Sequence, residues 1–62
     1  MFEIGDIVRD KRFNRPLYGK VIVVDNERHR IVVETDKGNF SIHMNIVEIV
    51  KKNNTESLNQ NL

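Results

Sequence analysis

The sequence predicts an all-β fold, a small five-stranded barrel, and three observations carry that reading. Val and Ile together supply fifteen of the 62 residues, Leu only three, and Ala none. β-Branched side chains pack well on a pleated surface and lose rotamer freedom in helices, whereas a helical chain draws on Ala and Leu. The apolar residues also fall in short runs with period-two alternation, separated by polar turn residues. Finally, Gly5, Gly19 and Gly38 sit at or beside the junctions of these runs, where a short and strongly bent sheet needs unusual backbone angles.

In order along the chain, Phe2 to Asp10 is the first extended segment, with a bulge or sharp bend at Gly5-Asp6. Lys11 to Leu17 has no periodicity and contains Pro16, so it reads as a loop. Tyr18 to Asp25 is the second strand, and Asp25-Asn26-Glu27-Arg28 is a polar tight turn. His29 to Thr35 is the third strand. Asp36-Lys37-Gly38-Asn39 is a hairpin connection, with Gly38 expected at a positive backbone angle. Phe40 to His43 is a short fourth strand, Met44-Asn45-Ile46 one tight helical turn, and Val47 to Val50 the last strand.

Alternation assigns Ile4, Val8, Val21, Val23, Ile31, Val33, Phe40 or Ile42, Ile46 and Ile49 to the interior. It assigns Lys20, Arg28, Arg30, Glu34 and Ser41 to water. One domain, residues 1–50, is expected. Residues 51–62, KKNNTESLNQNL, are polar and Asn-rich and read as a flexible tail, because they bury too little surface to offset their ordering entropy. A chain of this size buries only about 60% of its unfolded surface. Without cysteine it has no disulfide staple, so efficient packing or self-association must stabilise it, and a homo-oligomer is a possible outcome.

Composition also excludes some functions. No apolar run approaches a membrane span, and the N-terminus shows no basic start followed by a long apolar stretch. A cytoplasmic protein without membrane contact is the expectation. His29 and His43 are the only histidines, on different strands and without Cys, and do not form a recognisable metal site. No Ser-His-Asp set or phosphate-binding glycine loop is present, so neither catalytic residues nor a cofactor are expected.

Net charge is close to neutral, but its distribution is uneven. From Arg9 to Lys20 the bases Arg9, Lys11, Arg12, Arg15 and Lys20 stand against the single acid Asp10, with Phe13 and Tyr18 among them. Positive charge engages phosphates and an aromatic face stacks on an exposed base. Arg12, Arg15 and Lys20 are therefore the candidate phosphate contacts, with Phe13 the candidate exposed aromatic. The alternative is that the charge solubilises a long loop whose aromatics tuck over the barrel end. Arg28-His29-Arg30 is a second basic spot, which pairing with Asp25, Glu27 or Glu34 would neutralise.

The pattern apolar-Gly-Asp-x-Val-Arg, then Gly-Lys-Val, then apolar-Val-Glu before a turn glycine resembles the SH3-like barrels. Within them it is similar to the KOW and Tudor-type modules of transcription and translation proteins, across residues 2–50. That resemblance implies a non-enzymatic binding module that contacts nucleic acid or the transcription and translation machinery through loops at one barrel end. A second reading is a small module, of the sort phages or mobile elements use, that binds and modulates a host protein. A third resemblance is to the plasmid-encoded type II dihydrofolate reductases. That family presents Val-Gln-Ile-Tyr on the strand matching Phe40 to His43; here Ile42 matches, but Ser41 replaces the Gln and His43 the Tyr. Both departures fall on the family's substrate- and cofactor-contacting positions, which argues against that activity.

Overall fold

The computed structural model describes residues 1–12 and 17–53. It is all-β: five antiparallel strands form one sheet in the order β4-β3-β2-β1-β5. The strands are β1 (Ile7–Asp10), β2 (Tyr18–Asp25), β3 (Arg30–Thr35), β4 (Gly38–His43) and β5 (Val47–Lys51), with a 3-10 turn, Met44–Ile46, between β4 and β5. The two edge strands are thus neighbours in sequence, joined by three residues. A flat sheet of this order would hold its edges four strand spacings apart, so the sheet must curl to bring the end of β4 near the start of β5. β4 and β5 are not paired with each other, so hydrogen bonds do not close the sheet into a barrel.

The interior face is built from β-branched residues at alternate positions. Val8, Val21, Ile31, Val33, Ile42, Met44 and Val47 are buried, and Phe2, Val24, Ile46 and Ile49 pack against them. Register explains the set: Val8 faces Gly19 and Ile49, Val21 faces Val33, and Ile31 faces Ile42, each pair sharing one face.

Several expectations are corrected. The first strand begins at Ile7 rather than Phe2. The Asp6 carboxylate accepts the Glu3 N–H at 2.8 Å while the Asp6 N–H donates to the Glu3 carbonyl, folding the chain into a turn ahead of the strand. Ile4 is consequently exposed. Val23 is also exposed, because a register shift between Val21 and Val23 inserts an extra residue and hands the inward position to Val24. Of the pair left open, Ile42 is the buried residue and Phe40 remains 42% exposed. Met44 and Val47 join the core without having been expected there. The third strand starts at Arg30, since His29 takes a positive φ of 57° at the end of the preceding turn. Gly38 has φ +122°, and a Cβ there would meet nothing within 4 Å, so only the backbone conformation selects glycine at that turn.

The last strand also runs further than expected. Lys51 belongs to β5, and Lys52 and Asn53 bond to Asp6, so the first three residues assigned to the tail are part of the fold. Residues 54–62, the remainder of that tail, lie outside the described residues. No helix among the described residues is long and apolar enough to cross a membrane.

Candidate nucleic-acid interface

Alternation divides each strand between the core and an outer face. On that outer face the Cα partners form two rows across the sheet. One row reads Lys51, Ile7, Lys20, Glu34, Asn39, and the other Glu48, Arg9, Tyr18. Tyr18 lies directly across from Arg9 and two residues before Lys20, so the three side chains share a face. Tyr18 is 51% exposed, a large share for an aromatic ring fixed on a strand. A shallow groove of about 760 Å³ runs beside it, lined by Ile7, Leu17, Tyr18, Lys20, Glu34 and the Thr35–Lys37 turn.

The charges around this groove are unequal in availability. Arg9 is ion-paired with Glu48 on the neighbouring strand. Within the groove Lys20 and Lys37 are matched by Glu34 and Asp36. Lys11 is exposed, and its N–H donates to the Ile46 carbonyl at 2.8 Å, which fixes where the loop leaves β1.

Arg12 serves the fold as well as the surface. Its guanidinium meets the Asp10 carboxylate at 3.2 Å and 2.9 Å, and its backbone N–H donates to Asp10 Oδ1 at 2.8 Å. Asp10 is buried, with its side chain 1% exposed, while the Arg12 side chain is 56% exposed. The Arg12 guanidinium holds the Asp10 carboxyl below the ordinary carboxylate range against the opposing effect of burial, helped by the Arg12 amide. Arg12, a candidate phosphate contact, therefore also caps a buried carboxylate at the end of β1. Lys20 is exposed on the outer face, as expected. Phe13 and Arg15, the other two candidates, lie outside the described residues. The structure brings Tyr18 and Lys20 together at the groove and places Arg12 at the adjoining strand end.

Two further polar clusters anchor the ends of the sheet. Asp6, fully buried, accepts hydrogen bonds from the Glu3 N–H, from the Asn53 N–H at 2.7 Å and from Lys52 Nζ at 3.0 Å. Burial pushes the Asp6 carboxyl up, but the Asn53 amide, the Lys52 ammonium and the Glu3 amide together outweigh it and hold it below the ordinary range. Lys52 also reaches Glu3 at 2.9 Å, and Glu3 first and Asp6 second keep its ammonium above the usual lysine range. The Asn53 side chain donates to the Ile4 carbonyl beside Gly5, whose φ is +95°. At the other end, His29 and His43 stack edge to face at 5.2 Å. Asn45 bridges them, its Oδ1 3.2 Å from His29 Nε2 and its N–H donating to His43 Nδ1. Arg28 pairs with Asp25 within its own turn. Among the described residues no group of three His, Cys, Asp or Glu side chains is placed to hold a metal ion.

Tyr18 is the residue that sequence reasoning underweighted. The available signal was its position: a strand aromatic at an even spacing from Lys20 faces the same way as the lysine. Comparison of the chain with protein-family models, with curated proteins and with solved structures gives no match.

Proposed function

We propose that this protein is a non-enzymatic binding module that takes up single-stranded nucleic acid on the outer face of β1 and β2. The observation that carries the reading is Tyr18, half exposed on a strand beside Lys20 and next to the base-rich segment Arg9 to Lys20. A ring fixed on a strand stacks a base with little loss of side-chain freedom, while nearby bases neutralise phosphates. Among the described residues, exposed Lys20 and Lys11 are the proposed phosphate contacts. Arg15 and Phe13, outside the described residues, are proposed as further contacts, and Arg12 as one made from its seat on Asp10. We further propose that the curled sheet is an open form of the SH3-like small barrel, of the KOW or Tudor type. The order β4-β3-β2-β1-β5, with a three-residue 3-10 turn leading from one edge to the other, supports that assignment.

The test is binding of labelled single-stranded oligonucleotides. Tyr18→Ala should weaken binding by about 1–3 kcal/mol, the usual loss when an aromatic stacking partner is truncated. Stability should change little, because the ring is half exposed. Absence of any association at low salt would sink the reading. A groove with balanced charge, Lys20 and Lys37 against Glu34 and Asp36, supports the second reading, an extended peptide of a host protein. Binding to a protein target that resists salt would favour it.

A further inference from the structure

The β4 edge differs from most exposed sheet edges. Natural proteins guard an edge with charged side chains, proline, a bulge or an overlying segment. β4 reads Gly-Asn-Phe-Ser-Ile-His, with no Lys, Arg, Asp, Glu or Pro, and pairs with β3 through all six residues without a register shift. Gly38, Asn39, Phe40 and Ser41 are all exposed.

The hairpin geometry fixes which backbone groups are open. A two-residue turn makes Thr35 and Gly38 a hydrogen-bonded pair, so by alternation Val33 with Phe40 and Ile31 with Ile42 are hydrogen-bonded too. The N–H and C=O groups of Asn39, Ser41 and His43 then point away from β3. The bonding of Arg30 agrees with this. Its guanidinium donates to the Ser41 carbonyl at 3.1 Å and to the Ser41 hydroxyl at 3.0 Å, satisfying an oxygen that β3 leaves open. A carbonyl has a second lone pair, so this contact does not exhaust it.

We propose that β4 is a homodimerisation edge, on which a second copy of this chain pairs antiparallel about a two-fold axis at Phe40. Three features favour a second copy as the occupant. Self-pairing of an antiparallel strand brings its own charges close to one another, and β4 carries none, while Arg30 of β3, which reaches it, is engaged on Ser41. In this register Asn39 faces Ser41 of the other copy, and these residues hold the open backbone groups, so each pair exchanges both hydrogen bonds. Phe40 then faces its own counterpart in a close, non-hydrogen-bonded pair, which covers a ring left 42% exposed in the single chain. Gly38 falls opposite Ile42 and offers no side chain to crowd it. The contact is isologous and closes at two copies through β4.

Sedimentation of the full chain at rising concentration tests this first, with a dimer expected at millimolar concentration. Ser41→Pro removes an N–H that faces the partner and not β3, so it should abolish the dimer while leaving circular dichroism unchanged. The chain has no cysteine, so Phe40→Cys introduces its sole thiol. Mild oxidation should link Phe40→Cys chains into covalent dimers. Asn39→Cys, on the opposite face and out of register with itself, should stay unlinked. A monomer at millimolar concentration overturns the proposal. So does a dimer that survives Ser41→Pro, or equal cross-linking by the two cysteine variants. None of these outcomes depends on nucleic acid, so they stand apart from the binding test above.

Discussion

The two edges of the sheet are held in different ways. On the β5 side the chain is tied down by charge: Glu48 pairs with Arg9, Lys52 reaches Glu3 and Asp6, and the Asn53 N–H seals the Asp6 carboxylate. The β1–β5 ladder also carries a register shift between Ile7 and Val8. The β4 edge has a regular register and no charged residue, and among the described residues Arg30 reaches over it. Ionic and buried polar bonding is thus concentrated where the N- and C-terminal segments meet β1. Sheet pairing and apolar packing hold the β3–β4 side. The difference teaches that stability and surface are divided between the edges, and perturbations of charge should register on one side only.

The largest expected effect comes from breaking the buried carboxylate at the β5 side. Asp6→Ala removes the acceptor of three hydrogen bonds and leaves the Glu3 and Asn53 amides and the Lys52 ammonium without it. A loss of about 2–4 kcal/mol is expected in urea unfolding, from the cost of stranding such donors. Asp10→Ala should cost less, about 1–3 kcal/mol, since its partner Arg12 is half exposed and rehydrates. Equal losses from Asp6→Ala and from Ser41→Ala would erase the contrast between the edges.

Acid should act on the same side. Asp6 and Asp10 both titrate below their unfolded values, so their stabilisation is full above the unfolded pKa, about 4, and is lost as pH falls through the lower folded values. Lys52 has the opposite sign: its contribution is full below about pH 10 and fades as pH rises through its raised folded value. Hydrogen exchange at low pH should therefore open β5 and the Glu3–Asp6 turn before the β3–β4 hairpin. Simultaneous opening of both would show that the edges do not behave separately.

On the β4 side the expected effects are smaller. Gly38→Ala should destabilise by about 1–2 kcal/mol through backbone strain alone, because φ is +122° and the space for a Cβ is open. Ser41→Ala should fall within about 0.5 kcal/mol, as the residue is exposed. A chain ending at Asn53 compared with one ending at Lys51 sharpens the contrast further. The shorter chain should melt several degrees lower, having lost both bonds to Asp6.

Much of this architecture is legible in the sequence, and the failures have physical causes. Fifteen Val and Ile residues, mostly in alternating runs, and the turn at Asp36-Lys37-Gly38 identify five strands and most of the core. Period-two reading fails at Val23 because a bulge is invisible in a run of four apolar residues. It fails at Met44 and Val47 because a 3-10 turn breaks the alternation. Alternation does not single out Asp6 or Asp10, yet both are buried, Asp10 against nearby Arg12 and Asp6 against donors that include the distant Lys52 and Asn53. The partners of Asp6 lie as far as 47 residues away in sequence, so no local pattern could pair them. At the site, Lys20 follows from alternation and Tyr18 from its even spacing to Lys20, but the pairing of Tyr18 with Arg9 needed the register.

The central claim, a nucleic-acid surface on β1 and β2, is tested most directly by the salt dependence of binding to a single-stranded oligonucleotide. The account expects affinity to fall steeply with salt and the logarithmic slope to flatten by about one unit in Lys20→Ala, a residue exposed in the fold. An affinity that does not change with salt, or a slope that Lys20→Ala leaves untouched, would contradict it.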